Sequence, residues 1–179
     1  MAERLREIFS EQVLAARVAE LGREISDCYA DREVVMVGVL TGVLPFFADL
    51  LRSLRFCPRI DFVRLASYGA GTCPGELRLL ADIQTCITGR HVLIVDDIVD
   101  TGRSLAYLLH KFRQREPADI KICALLDKPY RREVELTVDF VGFSAPPLFL
   151  VGYGMDIDGR LRRLRGVYAL ESCNGPDIA

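Results

Sequence analysis

The chain has no tryptophan, only two histidines (His91 and His110), and no Cys-x-x-Cys pair among its six cysteines. Each absence removes a class of function. Cys28, Cys57, Cys73, Cys86, Cys123 and Cys173 are scattered with no Cys-x-x-Cys pair, so they suggest neither a zinc site nor a disulfide framework and read as reduced thiols. The longest apolar stretches break well short of the roughly 20 residues a spanning helix needs. The first residues, with Glu3, Arg4, Arg6 and Glu7, carry no signal-peptide core. No membrane partner is expected, and the cytoplasm is the expected compartment. A formal charge of -2 leaves no basic field for nucleic acid, so any anionic ligand must be met by a local site. At 179 residues, 50% hydrophobic and 27% charged, the composition fits one globular domain with a sizeable core.

Against that background the most informative stretch is His91-Val-Leu-Ile-Val-Asp-Asp-Ile-Val-Asp-Thr-Gly-Arg-Ser-Leu105. Residues 92–95 form a short β-branched-rich run, which suits a strand buried in a parallel sheet, with the chemistry expected at its carboxyl end. There Gly102 permits a tight turn. Thr101, Arg103 and Ser104 can direct N–H groups and hydroxyls at one phosphate above the start of the next helix. Asp96 and Asp97 stand beside that anion, suited to the paired hydroxyls of a ribose, and Asp100 is suited to a proton or a cation.

Other readings of these letters need a different context. Asp-Asp-x-x-Asp holds magnesium in prenyl-diphosphate enzymes, but from a helix. Asp-Thr-Gly serves aspartic proteases in an all-β setting, whereas here Leu105, Leu108, Leu109 and Phe112 mark one face of a following helix. A solvated acidic helix cap is the bland alternative, and it leaves three neighbouring carboxylates repelling one another for no gain.

Elsewhere the periodicity alternates. Ser10 can cap a helix carrying Leu14, Val18, Leu21 and Ile25. Val34–Leu40 reads as a strand, closed by Thr41-Gly42 before a helix over about 43–54. Residues 60–66 form a third apolar segment, 67–75 a loop rich in turn formers, and 77–83 a returning antiparallel strand. After the 92–105 segment come strands at 120–126, 139–143 and 148–151, which complete the sheet and a cap. Residues 160–165 are basic, and 174–179 look frayed. This is an α/β layout with a central, mostly parallel sheet and right-handed crossovers.

Residues 92–104 resemble the phosphoribosyl-pyrophosphate (PRPP) signature of type I phosphoribosyltransferases. Further segments are similar to the hypoxanthine-guanine phosphoribosyltransferases within that group. They are Val37-Gly-Val-Leu-Thr-Gly42 (pyrophosphate loop), Ser67-Tyr-Gly69 (mobile loop), Leu125-Leu-Asp-Lys-Pro129 (purine lysine), and Val141-Gly-Phe143 with Phe149-Leu-Val-Gly-Tyr-Gly-Met-Asp156 (C-terminal hood). They run in the family's order from about residue 12 to residue 168.

The resemblance implies a single phosphoribosyltransferase domain over residues 1–179, with a hood from about 1–12 and 144–170. It implies a pentosyltransferase of purine salvage, with hypoxanthine or guanine and PRPP as substrates, IMP or GMP and pyrophosphate as products, magnesium as cofactor, and a homodimer or homotetramer. Asp100 would be the general base. Asp96, Asp97, Ile98, Val99, Asp100, Thr101, Gly102, Arg103, Ser104 and Leu105 would hold the ribose and 5-phosphate. Leu40, Thr41, Gly42 and Arg162 would hold pyrophosphate, and Ser67 and Tyr68 would close over the reacting centre. Lys128, Phe149, Leu150 and Asp156 would meet the purine, with Lys128 on O6 because an ammonium has only donors to offer. Asp96, Asp97 and Asp156 would be metal ligands. The chain departs from the family pattern at Thr41, where lysine is common, so backbone N–H groups must carry pyrophosphate there, and at Asp96, where glutamate is common. A PRPP-binding regulator of the pyrimidine-operon type, or a nucleotide-binding homologue without turnover, remains as an alternative; Lys128 and the modest charge argue against the first.

Overall fold

The apolar runs at 34–40, 92–95 and 120–126 become adjacent strands of one sheet. The computed structural model describes residues 4–30, 32–68 and 76–171. The elements are β1 (Arg4–Phe9), α1 (Glu11–Tyr29), β2 (Val34–Leu40), α2 (Leu44–Ser53), β3 (Arg59–Tyr68), β4 (Glu76–Ala81), β5 (His91–Val99), α3 (Arg103–Arg113), β6 (Asp119–Asp127), a 3-10 turn at Pro129–Arg131, β7 (Phe140–Ser144), β8 (Leu150–Val151) and β9 (Val167–Glu171). The main sheet has the order β4-β3-β2-β5-β6-β7; all its strands are parallel except β4, which returns antiparallel to β3.

Each face of the sheet has its own core. Met36, Leu93, Val95, Cys123 and Leu125 pack with Leu14, Val18, Leu21 and Ile25 of α1 and with Phe46, Phe47 and Leu50 of α2. Val35, Val37, Val92, Ile94, Ile122 and Ala124 pack with Leu105, Leu108 and Phe112 of α3. Cover on both faces explains why β2 is an unbroken apolar run and not an alternating one. Ser10 caps α1 as its position predicts, its hydroxyl accepting from Val13 N at 3.4 Å.

Four features differ from the sequence expectation. Ser67 and Tyr68, expected in the loop, belong to β3 and pair with β4. β5 does not stop at Val95. It continues through both acids to Val99, because Ile98 and Val99 keep pairing with Leu126 and Asp127 of β6. Val141-Gly-Phe143 lies in β7, an edge strand of the main sheet, and not in the hood. The hood is itself a small antiparallel sheet, β1-β9-β8, in which β1 and β9 were not foreseen. The loop residues 69–75 and the tail 174–179 lie outside the described residues.

From β2 the chain moves outward to β3, then returns to β5 on the other side of β2. That reversal marks the crevice where open α/β sheets bind ligands. Here the crevice is physical: β2–β5 pairing ends at Gly38 with Val95, while β2 runs on to Leu40 and β5 to Val99.

Candidate active site

Four of the expected segments meet at the carboxyl edge of the main sheet. Leu40 ends β2 and Thr41 and Gly42 follow it, Ser67 and Tyr68 end β3, residues 100–105 follow β5, and Lys128 follows β6. The Leu40–Thr41 peptide is cis. Thr41 is exposed and Gly42 buried. A β-carbon on Gly42 would run into the carboxylate of Asp97, so only glycine lets the first loop reach the acids of β5.

Asp96 is buried and Asp97 half-buried. Burial pushes the Asp96 carboxyl well above the usual carboxylate range, and the neighbouring Asp97 charge pushes it further. Asp97 is raised for the same first reason, burial, against which hydrogen bonding and the Arg162 guanidinium work. The Asp97 N–H donates to Asp96 Oδ1 at 3.1 Å. Two adjacent carboxyls with so little compensation form a site that favours a cation or sugar hydroxyls.

The turn after β5 is built for an anion. Gly102 caps α3 with φ +82°, a conformation open to glycine, and Arg103 N donates to Thr101 Oγ1 at 3.4 Å. The first-turn N–H groups of α3, including those of Ser104 and Leu105, have no partner within the helix. The Leu105 side chain is in the core, so only its backbone faces the chemistry. Asp100 Oδ1 is enclosed, and Arg131 Nε approaches it to 2.6 Å as an ion pair without hydrogen-bond geometry.

Lys128 is 7% exposed, and its Nζ donates to Leu148 O at 3.0 Å. Burial lowers its pKa, while the Asp100 charge opposes that shift. Phe149, next in the chain to the Leu148 carbonyl that Lys128 meets, is 56% exposed, and Leu150 is buried in β8. In the hood, Arg162 pairs with Asp156 Oδ1 at 2.6 Å and donates to Gly154 O at 2.7 Å; Gly159 N donates to Asp156 Oδ2 at 2.7 Å. Gly154, at φ +103°, packs on the Gly42 carbonyl, so the hood rests on the loop after β2. Among the described residues no three His, Cys, Asp or Glu side chains converge. Asp96, Asp97 and Asp156 therefore do not form a ligand cluster by themselves.

Sequence reasoning passed over the strap after Lys128. Arg132 donates to Asp100 O at 2.9 Å and pairs with Asp127; Glu133 N donates to Thr101 O at 3.0 Å, and Arg103 pairs with Glu133 at 2.6 Å. Two consecutive arginines just beyond a strand's carboxyl end were the available signal.

Residues 5–158 match the phosphoribosyl transferase domain family. The chain is 42% identical over 158 residues to the hypoxanthine-guanine phosphoribosyltransferase of Bacillus subtilis, covering 88% of each protein. It is 45% identical over 157 residues to the hypoxanthine phosphoribosyltransferase of Salmonella typhimurium, covering 86% of this chain and 88% of that protein. Its fold matches a crystal structure of a hypoxanthine-guanine phosphoribosyltransferase from Bacillus anthracis with a TM-score of 0.88 at 37% identity, over 95% of this chain and 100% of the other. With the PRPP signature at the crevice and Lys128 behind it, the chain belongs to the phosphoribosyl transferase family, in its hypoxanthine-guanine phosphoribosyltransferase branch.

Proposed function

We propose that this protein is a purine-salvage pentosyltransferase that moves the 5-phosphoribosyl group of PRPP to N9 of hypoxanthine, and of guanine, releasing pyrophosphate with IMP or GMP. The observation that carries the reading is the meeting, at one sheet edge, of a buried lysine, a carboxylate pair and a Thr-Gly anion turn. Transfer develops positive charge on the sugar and negative charge on the departing pyrophosphate. Asp96 and Asp97 lie where they stabilise the first, on the ribose hydroxyls. Arg162 and the backbone of residues 40–42 stabilise the second. Thr101, Gly102, Arg103, Ser104 and Leu105 hold the 5-phosphate through the turn and first helical N–H groups, with Ile98 and Val99 supporting them.

The Lys128 ammonium, already desolvated, offers only donors and selects a 6-oxo group over a 6-amino group. Phe149 stacks on the purine, the Leu150 backbone and Asp156 meet its edge, and Asp100 takes the proton at N7. Ser67 and Tyr68, at the end of β3, lead into the loop that excludes water from the centre. The adjacent, poorly compensated Asp96 and Asp97 fit magnesium held mainly by substrate oxygens and water, with Asp156 as a further ligand. Bound there, magnesium would neutralise the leaving pyrophosphate.

Family membership supports a homodimer or homotetramer, which light scattering reads directly. The free thiols of Cys28, Cys57, Cys86 and Cys123 fit the cytoplasm. Residues 1–179 act as one catalytic domain with its hood.

The test is magnesium-dependent nucleotide formation from PRPP with hypoxanthine, guanine, xanthine, adenine and uracil offered separately. Turnover confined to oxopurines is expected. Asp100→Asn should lower turnover by about 10²-fold or more, and Lys128→Ala should erode oxopurine preference by about 10²-fold. Full turnover in Asp100→Asn with base choice unchanged in Lys128→Ala would overturn the assignment.

A further inference from the structure

We propose that Arg132 is a positioning residue that aims the N–H groups of the 99–102 turn at the PRPP 5-phosphate. The inference rests on the reading of this turn as the phosphate cradle. Three successive carbonyls of the turn are taken up by the strap behind it: Val99 O accepts from Lys128 N at 2.9 Å, Asp100 O from Arg132 Nη1 at 2.9 Å, and Thr101 O from Glu133 N at 3.0 Å. In a planar trans peptide the carbonyl and the next N–H point in opposite directions. Holding these three carbonyls toward the strap therefore directs the N–H groups of Asp100, Thr101 and Gly102 to the other side of the turn. A run of N–H groups on one side is an anion nest.

Only the middle bond of the three comes from a side chain, and that side chain is suited to the task. Arg132 is 13% exposed, and its fork spans two partners, the Asp100 carbonyl and the Asp127 carboxylate, which is 15% exposed. A simple counter-ion for Asp127 needs no second bond. Its alkyl stem also lies against the turn, with Cδ 2.9 Å from where a β-carbon on Gly102 would sit. Gly102 thus provides both the positive φ and the room for the strap. Lysine keeps the charge beside Asp127 but lacks the planar fork that reaches both partners.

Two variants separate positioning from bulk stability. Arg132→Lys retains a cation next to Asp127. The double variant Asp127→Asn/Arg132→Gln removes both charges together, so neither leaves a buried charge stranded. PRPP affinity is read by calorimetry with magnesium, alongside KM for each substrate, kcat and Tm. The expected result in both variants is PRPP binding weaker by about tenfold or more, a lowered kcat, and a hypoxanthine KM within about twofold, with Tm nearly unchanged. Unaltered PRPP affinity in folded variants would overturn the proposal, as would a fall in Tm with unchanged constants for the folded fraction. Calorimetry does not depend on which base is transferred. If the unsubstituted protein binds PRPP but turns over no oxopurine, the functional reading fails while this inference is still decided by the variants' affinity.

Discussion

Asp96 holds its place against its own electrostatics. Its carboxyl is buried beside Asp97, and both are pushed above the usual carboxylate range, chiefly by desolvation. In the ligand-free protein this is a stability cost with a definite pH dependence. The folded pKa lies above the unfolded one, so the stabilising contribution is fully present below the ordinary carboxylate range and is lost as pH rises through the raised folded value. Asp96→Asn removes the titrating group while keeping its shape. The variant should match the parent's Tm at acid pH and exceed it increasingly as pH rises, reflecting a stability gain of about 1 kcal/mol at neutral pH and above, while losing transferase activity. Thermal melts of magnesium-free protein across pH test this, and a gain that does not vary with pH would sink it. The same argument explains why these residues were legible early: adjacent acids at the end of an apolar strand are costly without a ligand. Lys128 was less legible, since most lysines are exposed, whereas this one is buried and donates to the carbonyl of Leu148, twenty residues on.

Elements were legible in proportion to how local their signal was. β2 and β6 announced themselves as unbroken apolar runs, and α1 through its period and its Ser10 cap. The end of β5 was misplaced because acids usually terminate strands, whereas pairing of Ile98 and Val99 with β6 decides the matter here. What no local pattern could show is the contact between two loops from distant parts of the chain. Gly154 carries φ +103°, and a β-carbon there would strike the Gly42 carbonyl and come within 2.9 Å of Pro45 Cδ. Gly89 has a similar φ of +70° but nothing within 4 Å, so it isolates the conformational cost. Gly89→Ala should cost about 1 kcal/mol and leave catalysis alone. Gly154→Ala should add the collision, pushing the loop after β2 away from Asp97 and weakening pyrophosphate as a product inhibitor by about tenfold or more. Equal effects of the two substitutions on pyrophosphate inhibition would show that the hood does not shape this loop.

At the scale of the molecule, the hood ties together the first and last strands among the described residues. Arg4 pairs with Glu171 and Phe9 with Val167 across β1 and β9, a register between residues more than 150 positions apart, which local periodicity cannot specify. β1 is also largely exposed and β8 only two residues long, so neither gave a strand signal. Yet this small sheet carries Leu150 and the loop with Arg162, whose charge acts on Asp97, and its attachment to the main sheet includes an aromatic pair beside the Gly154–Gly42 contact: Phe9 stacks on Phe143 of β7 with centroids 4.3 Å apart. Phe9 packs against the core on the α1 and α2 face of the sheet as well as on Phe143. Truncating it to alanine should therefore act through the hood's seating. Loss of the stack from a partly buried site should cost about 2 kcal/mol and lower Tm by several degrees. Because Phe149 and Leu150 belong to the hood while residues 96–105 run from the end of β5 into α3, KM for hypoxanthine should rise several-fold more than KM for PRPP. Steady-state kinetics with each substrate varied in turn decides the point. A rise shared equally by both substrates would mean that hood and sheet respond as one rigid body, and that Phe9 supports the whole site and not its purine half.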